Sequence, residues 1–189
     1  MYRNSNDKRV KQTAERLFDA ICELLKSKSF SEIGIKEVSE LAKIGRATFY
    51  RNFDYVDDIL KLKLDEQFEE LRVVAEPELD KGPVDLFPFF DYWVEHATIL
   101  EVLKKADRWD IFSSRFISAS NLKLVELSEI AGFNDIEIEY LQGIIKGMFS
   151  AILQTWIERD KQETALQLTA IFESPFKVYL QQYKGATTG

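Results

Sequence analysis

The sequence predicts an all-α protein in which an N-terminal three-helix unit containing a helix-turn-helix precedes a larger helical body, about nine helices together. Three observations carry this expectation. Apolar residues recur three and four apart along most of the chain, and no stretch alternates apolar and polar residues as a half-buried strand would. The few glycines and prolines fall mostly between these patterns. Charge also divides unevenly: residues 1–53 carry 11 Lys and Arg against 7 Asp and Glu, a balance of +4. Residues 54–189 carry 14 against 25, a balance of −11.

A first helix is expected over about residues 7–26, where Val10, Ala14, Leu17, Ile21, Leu24 and Leu25 share a face and Asn6 or Asp7 can cap the start. Ahead of it lies a short arm with Arg3. Ile35, Val38, Leu41 and Ala42 define a second helix; Ala47, Phe49, Tyr50 and Phe53 define a third. Only a short turn with Gly45 separates them, the spacing of a helix-turn-helix. A fourth helix begins after Asp54 with an acidic first turn and runs to about Ala75, connecting the three-helix domain (1–53) to the body (54–189). The segment Pro77 to Pro83 is the clearest break. Beyond it the patterns predict helices over Val84–Ala97, Thr98–Lys105 and Asp110–Ala131, then Asp135–Arg159 and Gln162–Tyr183. Pro175 should kink or split the last of them, and the terminal GATTG should be loose.

On the outward side of the third helix stand Arg46, Thr48, Tyr50 and Arg51, all able to donate hydrogen bonds to phosphates or base edges. Around them the residues IKEVSELAKIGRATFYRNF, followed by DYVDDIL, resemble the DNA-binding motif of TetR/AcrR-type transcriptional regulators. The match covers about the first third of the chain; the rest agrees in length and helical character alone. The resemblance implies that Thr48, Tyr50 and Arg51 face DNA and that Arg46 contacts a base, since a guanidinium pairs bidentately with guanine. Lys36 and Asn52 are expected on phosphates. Phe49 and Phe53 should point back into the core. Four positions depart from the family pattern: Gly34 and Gly45 lack a capping hydroxyl, Lys43 takes a turn position often held by Gly, and Val56 replaces a phosphate-contacting Lys. With three aspartates around Val56, fewer phosphate contacts and a shallower salt dependence are expected.

Two further constellations lie in the body. Gly143 and Gly147, with Met148, Phe149, Ile152 and Trp156, and Phe172 from the last helix, suit a dimer interface, because glycines let helices approach while large residues fill the contact. The resemblance implies the same arrangement, and a two-fold dimer would set two reading helices on a palindromic double-stranded DNA operator. Aromatic density farther upstream makes Trp93, His96, Trp109, Phe112 and Phe116 candidates for a pocket, which in the family holds an apolar small-molecule effector.

Other classes fit poorly. A di-iron bundle needs two Glu-x-x-His pairs, and there is a single histidine, so neither metal nor cofactor is expected. No P-loop, Gly-x-Ser-x-Gly or Cys/His pairing suggests an enzyme. One cysteine, Cys22, fits a core position and a reducing compartment. The start, MYRNSNDKRV, is too polar for a signal peptide, and no apolar run reaches about 20 residues, so a cytoplasmic location without membrane association is expected. The reading is a homodimeric DNA-binding regulator, a repressor released by a small-molecule inducer. Gly45, Lys43 and Val56 leave a second one: a helical interaction module with a weakened reader, controlled by a protein partner.

Overall fold

The computed structural model describes residues 8–79, 85–119 and 133–186, with side chains described except at 75–79, 117–119 and 176–186. The expected Arg3 arm, the later half of the seventh helix and the last three residues of the terminal tail lie outside the described residues, while Gly185 and Ala186, expected to be loose, end the last helix. Nine α-helices are described: α1 (Lys8–Leu24), α2 (Ile35–Leu41), α3 (Arg46–Asn52), α4 (Asp57–Leu79), α5 (Phe87–Glu95), α6 (Thr98–Lys105), α7 (Trp109–Ala119), α8 (Asp135–Glu158) and α9 (Ala165–Ala186). A single 3-10 turn, Phe30–Glu32, leads into α2, and no strand occurs among the described residues. The all-α expectation is met.

Two compact units form, Met1–Arg72 with Thr98–Asn121, and Val73–Ala97 with Leu122–Gly189. The first unit thus extends past residue 53, taking in most of α4 together with α6 and α7. Its core is built from the apolar face of α1 (Ala14, Leu17, Ile21), from Val38, Phe49 and Phe53, and from Ile59 and Leu60 of α4, all essentially inaccessible. Farther along α4, Phe68 meets Phe112 and Phe116 of α7 at centroid distances of 5.7 and 6.0 Å. In the second unit Phe149 of α8 lies 4.4 Å from Phe89 and 4.5 Å from Phe172 (centroid to centroid), so α5, α8 and α9 share one aromatic core. Such ring pairs stabilise beyond their burial by about 0.5–1.5 kcal/mol each. Cys22 is half-buried; burial, then the charge of Asp19, raises its thiol pKa, which keeps it an unreactive thiol.

Several helix ends differ from the periodic pattern, each for a local reason. Helix α4 begins at Asp57 because the buried Asp58 carboxylate reaches back and accepts the amides of Asp54 (3.0 Å) and Tyr55 (3.3 Å). Those residues are held as a turn. The helix also continues to Leu79, past its expected end. Helix α5 starts at Phe87, where the Asp85 carboxylate accepts the Phe87 amide. In α8 the expected start holds: Asn134 and Glu137 cap one another reciprocally, at 3.0 and 2.8 Å. Helix α9 starts three residues late, at Ala165, since Asp160 and Lys161 turn left-handed after α8 and the Thr164 amide then bonds to the Gln167 side chain. It runs through Pro175 without being split. Proline removes the bond to the carbonyl four residues back, that of Ile171, a residue exposed enough for water to replace it.

Asp58 gives the unit a pH dependence. Burial pushes its carboxyl up, but the hydrogen bonds its oxygens accept, those of Lys61 (3.1 Å) and the two amides among them, outweigh this and bring its pKa from 3.8 to about 2. A depressed folded pKa stabilises above the unfolded value and loses that contribution as pH falls from about 4 through 2. Asp58→Asn should cost about 2 kcal/mol at pH 7 in chemical denaturation, and the difference from the parent should shrink across that acid window.

Candidate nucleic-acid interface

The turn between α2 and α3 sets the geometry of the candidate interface. Helix α2 ends at Ala42, and the next two amides fold back, Lys43 onto the Glu40 carbonyl (3.1 Å) and Ile44 onto that of Ser39 (2.9 Å). This is the Schellman arrangement, which requires a left-handed residue. Lys43 supplies it at φ 55°. The remaining carbonyls are met by a residue the sequence did not single out: the Arg16 guanidinium of α1 donates to the carbonyls of Ala42 (2.6 Å) and Lys43 (3.1 Å). A cation there also opposes the negative end of the α2 dipole. Arg16 looks in the sequence like any charge on a solvated helix face, and only the α1–α2 packing reveals its bonds.

Helix α3 starts on Gly45, which lies at φ −66°, ψ 138° and offers no side-chain cap; its carbonyl accepts the amides of Thr48 and Phe49. One face of the helix is buried in the unit through Phe49 and Phe53, as expected. The opposite face leaves Arg46, Ala47, Tyr50 and Arg51 exposed, with Tyr50 at 55%. Thr48 is half-buried, and Lys36 is exposed at the start of α2. Asn52 departs from its expected role on a phosphate. It is only 6% exposed, and its side-chain amide donates to the Thr48 carbonyl at 2.9 Å, closing the helix from within. Val56, where the family pattern has a lysine, is a core residue.

The acidic start of α4 is internally compensated. Asp58 is held as above, and Asp57 forms an ion pair with Arg108 from the α6–α7 corner at 2.6 Å. Farther along, Lys63 binds Glu15 of α1 and lies 5.8 Å from the Phe18 ring centre, which braces α1 against α4.

The residues expected to line one pocket divide between the units. Trp93 is buried in the second unit beside Phe89 and Tyr92, while His96 stacks on Tyr92 at 4.2 Å with Nδ1 2.8 Å from the Tyr92 carbonyl. Trp109, Phe112 and Phe116 form a stacked series in the first unit. Those expected at a dimer contact also divide. Phe149, Trp156 and Phe172 are buried inside the protomer, Trp156 donating through Nε1 to the Glu163 carbonyl at 3.0 Å. They fill its own core, which corrects their expected place in a contact with a second chain. Met148 and Ile152 are half-buried. Gly143 and Gly147 do lie on an exposed face, with nothing within 4 Å of where a Cβ would stand. Ile136, Tyr140 and Ile144 flank them, exposed by 67, 73 and 58%.

No protein-family model matches the chain, and no curated protein matches it. A solved structure does. The fatty acid degradation regulator FadR from Bacillus halodurans superposes with a TM-score of 0.54 at 11% identity, over 86% of this chain and 93% of that one. The likeness is one of fold. It agrees with the all-α architecture in which a helix-turn-helix precedes a helical body. Among the described residues, no cluster of His, Cys, Asp or Glu could hold a metal ion, and no helix is long and apolar enough to cross a membrane.

The left-handed lysine yields a direct test of the turn. Lys43→Gly should raise the stability of the protein by about 1 kcal/mol in chemical denaturation, because the strain of an L side chain is relieved there. A loss of stability would mean that residue 43 is not left-handed in solution.

Proposed function

We propose that the protein is a homodimeric, sequence-specific DNA-binding transcriptional regulator of the TetR/AcrR type, a cytoplasmic repressor released by an apolar small molecule. The observation that carries the DNA reading is the outward face of α3, where Arg46, Tyr50 and Arg51 stand exposed while Phe49 and Phe53 anchor the helix behind them. A helix of this width with donors on one side suits a major groove, and Arg46 is the residue placed to read guanine. Lys36 and Arg51 would hold backbone phosphates. The likeness to a regulator of fatty acid degradation supports the fold of such a protein and is compatible with an apolar effector.

The dimer is argued from α8. Ile136, Tyr140, Gly143, Ile144 and Gly147 follow at helical spacing on one exposed side, and Leu166 and Ile171 of α9 are exposed as well. Apolar groups of this size at the surface, with glycines that permit close approach, suit a second copy of the same helix. Effector control would follow if the ligand bound two dimer conformations with different affinity; a few kcal/mol of difference suffices.

Selection of genomic fragments by the purified protein should recover a palindromic site, and Arg46→Ala should weaken binding to it by about tenfold or more. If no fragment is enriched even at low salt, the reader is degenerate and the protein-controlled interaction module becomes the better account. Ile144→Glu should convert the dimer to a helical monomer in sedimentation at micromolar concentration. A variant that stays dimeric would remove α8 from the interface.

A further inference from the structure

We infer that the reader selects its site in part through thymine methyl groups, contacted by Ala47 and the ring of Tyr50. The inference rests on the reading of α3 as a groove-binding helix and adds the base it recognises. Ala47 falls by helical spacing with the apolar residues that define α3 and looks in the sequence like core. The structure places it instead on the exposed side, three residues from Tyr50 and therefore next to it on the helix surface. Arg46 precedes the pair and Arg51 follows it, both exposed. The centre of the outward face is thus apolar and its two ends are cationic. The Tyr50 ring is also oriented, packing edge-on against the buried Phe49 at 5.7 Å and 80°. An ordered ring loses little freedom when it meets a partner.

Phosphates and sugars reward the two guanidinium groups but give an alanine methyl and a phenyl face little to bury. In the major groove the one apolar group that an unmodified base pair presents is the C5-methyl of thymine. A half-site with a thymine opposite Ala47 and Tyr50, next to a guanine under Arg46, matches the order of groups along the helix. Thr48, the residue whose methyl and hydroxyl look best suited to a base, is half-buried and more removed from this face.

Uracil differs from thymine only in lacking that methyl, so replacing single thymines of the selected duplex by deoxyuridine tests the contact directly. Fluorescence anisotropy should show one position per half-site at which the substitution weakens binding by about fourfold, the worth of one buried methyl. The penalty should vanish in an Ala47→Ser, Tyr50→Ser variant and persist in Tyr50→Phe, which keeps the ring. If the double variant does not fold, the scan with the parent protein decides. Unchanged affinity at every deoxyuridine position, with binding still lost in Arg46→Ala, would overturn the methyl contact and leave the reader standing. Absence of duplex binding by the parent would overturn both.

Discussion

The short turn after α2 is the constraint on which the proposed reader depends. A one-residue error in its path would rotate α3 by about 100° and send Tyr50 inward in place of Phe49. Two devices hold it. The Schellman bonds fix the backbone at the expense of a left-handed lysine, and Arg16 ties the last carbonyls of α2 to α1. A helix of seven residues has little stability of its own, so its orientation comes from such ties and from Phe49 and Phe53 in the core. Asn52 contributes in the same sense by returning its side chain to the Thr48 carbonyl. The helix loses a polar group from its outer face and gains a closed end.

The same logic reaches the start of α4. Three aspartates beside the proposed reader suggest repulsion when read as isolated charges. In the structure Asp58 is buried and spends its carboxylate on two backbone amides and Lys61, while Asp57 is paired with Arg108. A carboxylate compensated at a few ångströms projects little field over a Debye length of about 8 Å. The acidity of this turn therefore serves the fold, and a shortage of phosphate contacts in the proposed reader would follow from Val56, which is buried and has no donor to offer.

The legible part of the sequence was what periodicity and caps encode. The faces of α1 and α3, the Asn134 start of α8 and the Thr98–Lys105 helix all follow from short-range rules. So did the core positions of Phe49 and Phe53. What escaped was decided by groups distant in sequence or by competition within one turn. Arg16 lies 26 residues from the carbonyl it binds most closely. Asn52 carries an amide equally suited to a phosphate and to a carbonyl four residues back, and proximity favours the second. Ala47 has a side chain so small that its hydrophobicity says little about which face it occupies. In α8, size misled in the opposite direction: Phe149 and Trp156 were large enough to serve an interface but are taken up by the protomer, and the smaller Gly143 and Gly147 are what remains outside.

The exposed apolar groups of α3 and of α8 have surroundings that argue for different partners. On α3 a methyl and one ring lie between guanidinium groups, so whatever covers them must also bring negative charge and a small apolar group. A nucleic acid groove has both. On α8, Ile136 and Tyr140 stand beside Asp135, Glu137 and Glu139 in a body whose balance is −11, counted over residues 54–189. Phosphate would be repelled there, whereas a second copy can cross at the glycines and keep its own acidic flank in water. The apolar atoms supply the drive to associate in both cases, and the charges beside them decide with what.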